Sequence, residues 1–428
     1  MASRGLRRAL GLALLALVSA SPAVADKDIP KGRFFTAGGS DLGYFVADWD
    51  GYPFWSGYQA SGGETALGRP ASRRFLAPGG LAQGFERGII LSPGDGQTWR
   101  ILSAVNIPAS ARRPEPEPAV SLPADEAPHR DPVEWWYFTG HLTAPDGREF
   151  GFELTFFQVI GLTGIAAHFA HFAVSAPDLG AFITDERFGL PARDPRPGAV
   201  DLQLGDWQIR GENRSYHLVA GNQFARFDLR LSDGKQAVLH GETGLVSYGP
   251  AGDSYYYSRT RLQGDGRLRV GDQEFPVSAL AWHDRQWGHF AALLGGGWDW
   301  FSIQLDDNTE VMLYLVRLAP GPPTVIHGTY VDQYGVAVPL APADFRVSAL
   351  GTWSSPLTGA IYPSGWRVEV SGYGLDLTLT PALAGQEFVS RAFGITYWEG
   401  KVGVSGWRGE TAISGRGYVE LTGYAMIR

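Results

Sequence analysis

Apolar and polar residues alternate with a period of two through most of the chain, and helical periodicity is scarce, so the pattern predicts strands. Residues 135–142 and 148–159 flank the turn Ala144-Pro145-Asp146-Gly147 and predict a β-hairpin, with Phe152, Leu154 and Phe156 sharing one face of its second arm. Further strands are predicted at 166–174, 207–210, 216–219, 227–231, 255–262 and 277–287. After Gly295-Gly296-Gly297 a second hairpin is predicted from residues 298–305 and 310–318 around Asp306-Asp307-Asn308, followed by strands at 366–370, 375–380, 397–404 and 417–424. Each half holds roughly seven to ten strands, enough for an antiparallel barrel of the size that buries one ligand in its mouth or interior.

Residues 26–110 are rich in glycine and aromatics and predict short strands or packed loops. Arg112-Arg113-Pro114-Glu115-Pro116-Glu117-Pro118 is a polyproline-like linker. The expected organisation is a signal peptide at 1–25, an extension with linker at 26–118, and all-β domains at 119–294 and 295–428. Arg4, Arg7 and Arg8 precede an apolar run from Ala9 to Val18, and Ala23-Val24-Ala25 supplies a small-residue cleavage site. Export to the periplasm or the exterior is expected, with cleavage near Ala25 and no membrane-spanning segment in the mature chain.

Composition narrows the function. The chain has no cysteine, which rules out disulfides, thiol catalysis and a lipid anchor on cysteine. The net charge of −8 becomes −11 once three arginines leave with the signal peptide, and no basic stripe appears, which argues against nucleic acid as a partner. His168 and His171 fall on opposite faces of a strand, so they do not chelate together, and no metal or other cofactor is expected.

Two clusters place carboxylates among aromatic rings inside predicted strands: Glu134-Trp135-Trp136-Tyr137-Phe138 and Trp282-His283-Asp284-Arg285-Gln286-Trp287. A buried carboxylate must be paired or hold its proton. Trp282, Asp284 and Gln286 share one face, and His283, Arg285 and Trp287 the other. If the first face lines a barrel interior, Asp284 acts as a general acid beside Trp282; otherwise it pairs with Arg259 or Arg261. Glu134 either closes a barrel mouth or accepts backbone N–H bonds. The Tyr255-Tyr256-Tyr257 run orients a ligand or packs across strands.

The same segments carry a resemblance. Pro123-Ala124-Asp125 through Glu134-Trp135-Trp136-Tyr137-Phe138-Thr139-Gly140, then Tyr256-Tyr257-Ser258-Arg259-Thr260-Arg261, Trp282-His283-Asp284-Arg285-Gln286-Trp287-Gly288, Trp298-Asp299-Trp300-Phe301 and Gly417-Tyr418-Val419-Glu420-Leu421-Thr422-Gly423-Tyr424 resemble the carotenoid 1,2-hydratase-like (AttH/CrtC) family over roughly residues 120–428. The resemblance implies two consecutive lipocalin-like β-barrels. It implies acid-catalysed hydration of an isoprenoid C=C bond, with Asp284 as the acid and Trp282 or Tyr257 facing the cation. His283 and Gln286 depart from the family pattern, which usually has Met and an acidic residue there. The candidate site is therefore Asp284, His283 and Glu134 for catalysis, with Trp136, Tyr255, Tyr257, Trp282, Trp287 and Trp298 around an apolar isoprenoid or lipid. A carrier without chemistry and a secreted ester hydrolase are the alternatives.

Overall fold

The computed structural model describes residues 25–103, 105–161, 164–192, 195–290, 296–319, 321–390 and 394–425. Residues 1–24 of the expected signal peptide and Gly295 of the glycine break lie outside the described residues.

The chain is mostly β, built on two large antiparallel sheets that follow two small ones. The first large sheet runs in the order Ala181–Gly189, Ala166–Ala176, Glu149–Ile160, Val133–Thr143, Gln273–His289, Asp253–Val270, Ala225–Asp233, Ser215–Gly221, Trp207–Glu212, Val200–Leu204. Ala181–Gly189 and Val200–Leu204 form its two ends, Val238–Leu239 and Leu245–Ser247 also pair with Asp253–Val270, and the last long strand, Gln273–His289, returns beside the first, Val133–Thr143. That return curls the sheet into a near-barrel. Phe152, Leu154 and Phe156 share a face as expected, and they meet Trp136, Phe138, Phe172, Trp207 and Phe227 in one buried core inside the near-barrel, while Trp282, Asp284 and Gln286 point away from it.

The second large sheet runs Ala337–Leu340, Val325–Val331, Glu310–Arg317, Gly297–Leu305, Thr411–Thr422, Thr396–Arg408, Leu375–Pro381, Ile361–Val370, Phe345–Ser354. It forms a half-barrel around Phe301, Leu313, Trp366, Leu377, Trp398 and Val419. Both predicted hairpins are present, at Val133–Thr143 with Glu149–Ile160 and at Gly297–Leu305 with Glu310–Arg317.

The two sheets stand against each other through a third core, which includes Tyr137, Tyr256, Trp282, Trp298, Trp300, Met312, Tyr314 and Tyr418. Buried polar contacts fix the match. Lys235 Nζ meets Glu310 at 2.8 Å, Gln304 Nε2 donates to the carbonyls of Thr260 and Ala281 at 2.7 and 3.0 Å, and His141 Nε2 reaches the Gly417 carbonyl at 2.9 Å. The strands at this junction are therefore buried on both faces. Val133–Thr143 is buried almost throughout, because one face fills the near-barrel and the other meets the second sheet.

The segment before residue 119 folds into the two four-stranded sheets, with two short helices, Phe54–Ala60 and Gly63–Leu67, between them. The Pro-rich stretch is tied down: Glu115 exchanges backbone hydrogen bonds with Gly43 and its carboxylate meets Arg73 at 3.2 Å. Among the described residues, no helix is long and apolar enough to cross a membrane.

Candidate active site

The space of ligand size lies between the two sheets rather than inside a barrel. The near-barrel interior is filled by its own large side chains, whereas the sheet junction encloses a cavity of about 990 Å³. Period-two geometry decides which residues reach it. Trp136 and Phe138 turn into the near-barrel, so Val133, Trp135 and Tyr137 turn outward to the cavity. Glu153 and Phe157, Phe169 and His171, Tyr256, and Asp284 with Gln286 follow on the neighbouring strands. The second sheet contributes Trp298, Trp300, Tyr314, Tyr397, Glu420 and Thr422.

Asp284 stands on the first sheet's part of this wall. It is 4% exposed, and its register neighbours across the two flanking strands are Ser258 and Tyr137. Tyr256 Oη donates to Oδ2, Ser258 Oγ donates to Oδ1, and Trp282 Nε1 donates to Oδ1 at 2.5 Å. No cation approaches within ion-pair distance among the described residues; Arg259 is taken by Asp50, Asp233 and Glu126, and Arg261 by Glu310. The arginine pairing held open for Asp284 is thus replaced by three uncharged donors. Burial pushes its carboxyl up to about 6, against the hydrogen bonds from Ser258, Tyr256 and Trp282 that favour the ionised form.

Glu420 comes from the facing sheet. It is half-buried, and Trp298 Nε1 donates to Oε2 at 2.8 Å. Burial pushes it up to about 8; the Trp298 bond opposes this, and the charges of Glu153 and Asp284 add to it. Further round the wall, Tyr397 Oη donates to Glu153 at 2.9 Å and accepts from His171 Nδ1 at 2.8 Å. Tyr137 Oη donates to Glu399 at 2.8 Å. Burial raises both Glu153 and Glu399, and it lowers His171 to about 3, so His171 is neutral.

Of the residues expected from sequence, Asp284 and Trp298 line the cavity. Trp282 stands behind Asp284 as its hydrogen-bond donor and meets Trp300 edge-on at 6.0 Å. The others belong to the opposite face. His283 stacks on Phe138 at 3.9 Å, bonds the Tyr137 carbonyl through Nδ1 at 3.0 Å, and has its pKa pushed far down by burial. Glu134 forms a fully buried pair with Arg285 and also accepts the His129 backbone N–H and Gln158 Nε2. Trp136 lies under that guanidinium at 3.9 Å. Tyr255 stacks on Trp287 at 5.3 Å, and both pack with Tyr257 against Phe34, Phe45 and Trp49 of the N-terminal segment.

The correction has one cause: a one-residue step on a strand changes faces. Tyr256, between the two tyrosines singled out, is the one that reaches the cavity. Glu153 and Glu420 were missed although both sit at polar positions inside apolar strands. Among the described residues, no three His, Asp or Glu side chains are grouped to hold a metal ion.

Comparison with known proteins agrees with this architecture. A family model described as AttH-like matches residues 113–424. Kievitone hydratase of Fusarium solani subsp. phaseoli is 22% identical over 307 residues, which cover 67% of this chain and 81% of that protein. Among solved structures, a candidate AttH of Nitrosomonas europaea aligns with a TM-score of 0.65 at 32% identity, over 72% of this chain and 97% of that one. Kievitone hydratase of Nectria haematococca aligns with a TM-score of 0.59 at 19% identity, over 70% and 91%.

Proposed function

The chain belongs to the AttH-like family, and from that premise we propose that it is a hydratase-type enzyme working in the cavity between its two large sheets. The observation that carries the reading is Asp284: a buried carboxyl on the wall of a cavity of about 990 Å³, held by donors alone and unpaired with any cation among the described residues. Ion-paired carboxylates stay ionised; a carboxyl kept near neutrality by burial can take up and release a proton during turnover. Aromatic rings cover much of the cavity wall, with Trp135, Trp298 and Trp300 able to face a carbocation. The distant relative named for hydrating kievitone supports the same class of reaction.

The substrate proposed is a small, mainly apolar molecule with an isoprenoid-type C=C bond. Water adds across that bond, hydrogen to one carbon and hydroxyl to the other. The leader expected at residues 1–25 makes a periplasmic or extracellular location part of the proposal.

The test is incubation of the mature protein with a panel of prenylated small molecules in H₂¹⁸O. A product heavier by one labelled water, lost in Asp284→Asn while ligand binding persists, is the expected result. Binding across the panel with no labelled product from the unmodified protein removes the enzyme reading and leaves a carrier.

A further inference from the structure

Hydration needs two proton-handling groups, one to protonate the alkene and one to accept a proton from the attacking water. Of the four carboxyls on this cavity, Glu153, Asp284, Asp299 and Glu420, Asp284 and Glu420 reach it from facing sheets in surroundings that differ. Asp284 accepts from three donors, Tyr256, Ser258 and Trp282, an arrangement that favours its ionised form. Glu420 accepts from one, Trp298 Nε1, and keeps part of its surface on the cavity. A shared element links them. Trp298 and Trp300 lie two residues apart on Gly297–Leu305; Trp298 donates to Glu420, while Trp300, the register neighbour of Glu420, donates to Tyr256 Oη at 3.0 Å, and Tyr256 donates to Asp284.

We propose that Glu420 is a catalytic residue of the reaction proposed above, the proton donor, with Asp284 as the partner that receives the proton of the water. The inference rests on that hydratase reading. The Glu420 O–H bond breaks as the π pair of the alkene forms a C–H bond, leaving a cation at the more substituted carbon. A lone pair of water forms the C–O bond, and the proton released passes to the Asp284 carboxylate. The protein ends with Glu420 ionised and Asp284 protonated, and exchange with solvent on product release restores both. No oxidant or other co-reactant is consumed. The two environments order the proton affinities accordingly, with Glu420 the more proton-retentive of the two.

Other groups face the same space. Glu153, Tyr137, Tyr314, His171 and Tyr397 stand on its walls, and Asp299 is held by Arg317 at 2.8 Å and by Tyr424. Glu399 lies behind Tyr137. The experiment must therefore compare single carboxyl variants rather than read one pH profile.

The probe is N,N-dimethyloctylamine, an ammonium with the shape of a tertiary cation, competed against its neutral tertiary-alcohol counterpart, 2-methyl-2-decanol, and followed by tryptophan fluorescence. At pH 7 the unmodified protein is expected to prefer the ammonium by about ten-fold, the scale of one close charge pair. Asp284→Asn loses that preference and Glu420→Gln keeps it. Between pH 7 and 9 the preference grows several-fold further in the unmodified protein and stays flat in Glu420→Gln. Loss of the pH 7 preference in Glu420→Gln with retention in Asp284→Asn reverses the roles and overturns the proposal. Equal behaviour of the two variants, or no binding of the ammonium, overturns it as well. The expected charge pattern without any ¹⁸O-labelled product in the panel above would instead retain the pair and refute hydration.

Discussion

Tyr256 donates its hydroxyl to Asp284 and accepts a hydrogen bond from Trp300 at 3.0 Å, so one phenol joins the carboxyl of the first sheet to the second sheet. The bond to Asp284 lowers that carboxyl's proton affinity against the effect of burial. Tyr256→Phe is therefore expected to raise the Asp284 pKa above about 6 and to cost on the order of 1–3 kcal/mol of stability, the range for a hydrogen bond to a charged group and its unpaired remainder. Infrared titration of the carboxyl band that disappears in Asp284→Asn checks the first point. An unmoved band would mean that the phenol does not govern this acid.

Asp284 also makes stability depend on pH with a definite sign. Its folded pKa, about 6, lies above the ordinary 3.8, so the folded state binds the proton more tightly than the unfolded chain. Its favourable contribution is fully present below the ordinary value and disappears as pH rises through about 6, a change on the order of 3 kcal/mol. Asp284→Asn cannot ionise. Relative to the unmodified protein it should gain stability between pH 4 and 7 and hold a constant difference above that. Urea unfolding at pH 4.5 and 7.5 measures the difference, and parallel curves would contradict the assignment.

Glu134 was legible as a buried carboxylate but not as to purpose. Its Arg285 partner has no second carboxylate among the described residues, and both side chains are fully buried. Glu134→Gln strands the guanidinium and is expected to destabilise by about 3–5 kcal/mol. The cavity lies on the other face of this strand, so ammonium binding by the folded variant should stay within about two-fold of the unmodified protein, a margin within ordinary uncoupled-site additivity. A large loss of affinity in protein that is still folded would place Glu134 in the site after all.

The strands and their faces were readable because side-chain period two is a local property. Trp282, Asp284 and Gln286 do share a face, and the hairpins fall where Pro145-Asp146-Gly147 and Asp307-Asn308 turn the chain. Which face meets the ligand was not readable. In a strand buried on both sides, Trp136 and Tyr137 look equally interior, and only the arrival of the second sheet from more than a hundred residues away makes Tyr137 the cavity residue. Glu420 was visible within a motif, yet its role depends on Trp298 and on a facing sheet that sequence does not place.

The segment before residue 113 lies outside the family match but is not an appendage. Arg259, fully buried, binds Asp50 of that segment at 2.7 Å, together with Asp233 of the first sheet and Glu126. Arg73 extends the attachment to the second sheet through the Ala337 carbonyl at 2.9 Å, and the Leu76 N–H adds a bond to Tyr334 at 2.7 Å. Asp50→Asn keeps the shape and removes one of the three carboxylates. Arg259 retains Asp233 and Glu126, so its charge stays compensated and the first sheet should remain folded. The attachment should weaken by about 1–3 kcal/mol, the value of hydrogen bonds between charged groups. Amide hydrogen exchange in Gly32–Thr36 and Gly43–Trp49 is then expected to accelerate about five- to hundred-fold, with exchange in Glu149–Ile160 unchanged. Uniform acceleration across all three strands would instead mean that the segment and the sheets unfold as one unit. No acceleration anywhere would mean that Asp50 contributes nothing to holding the segment in place.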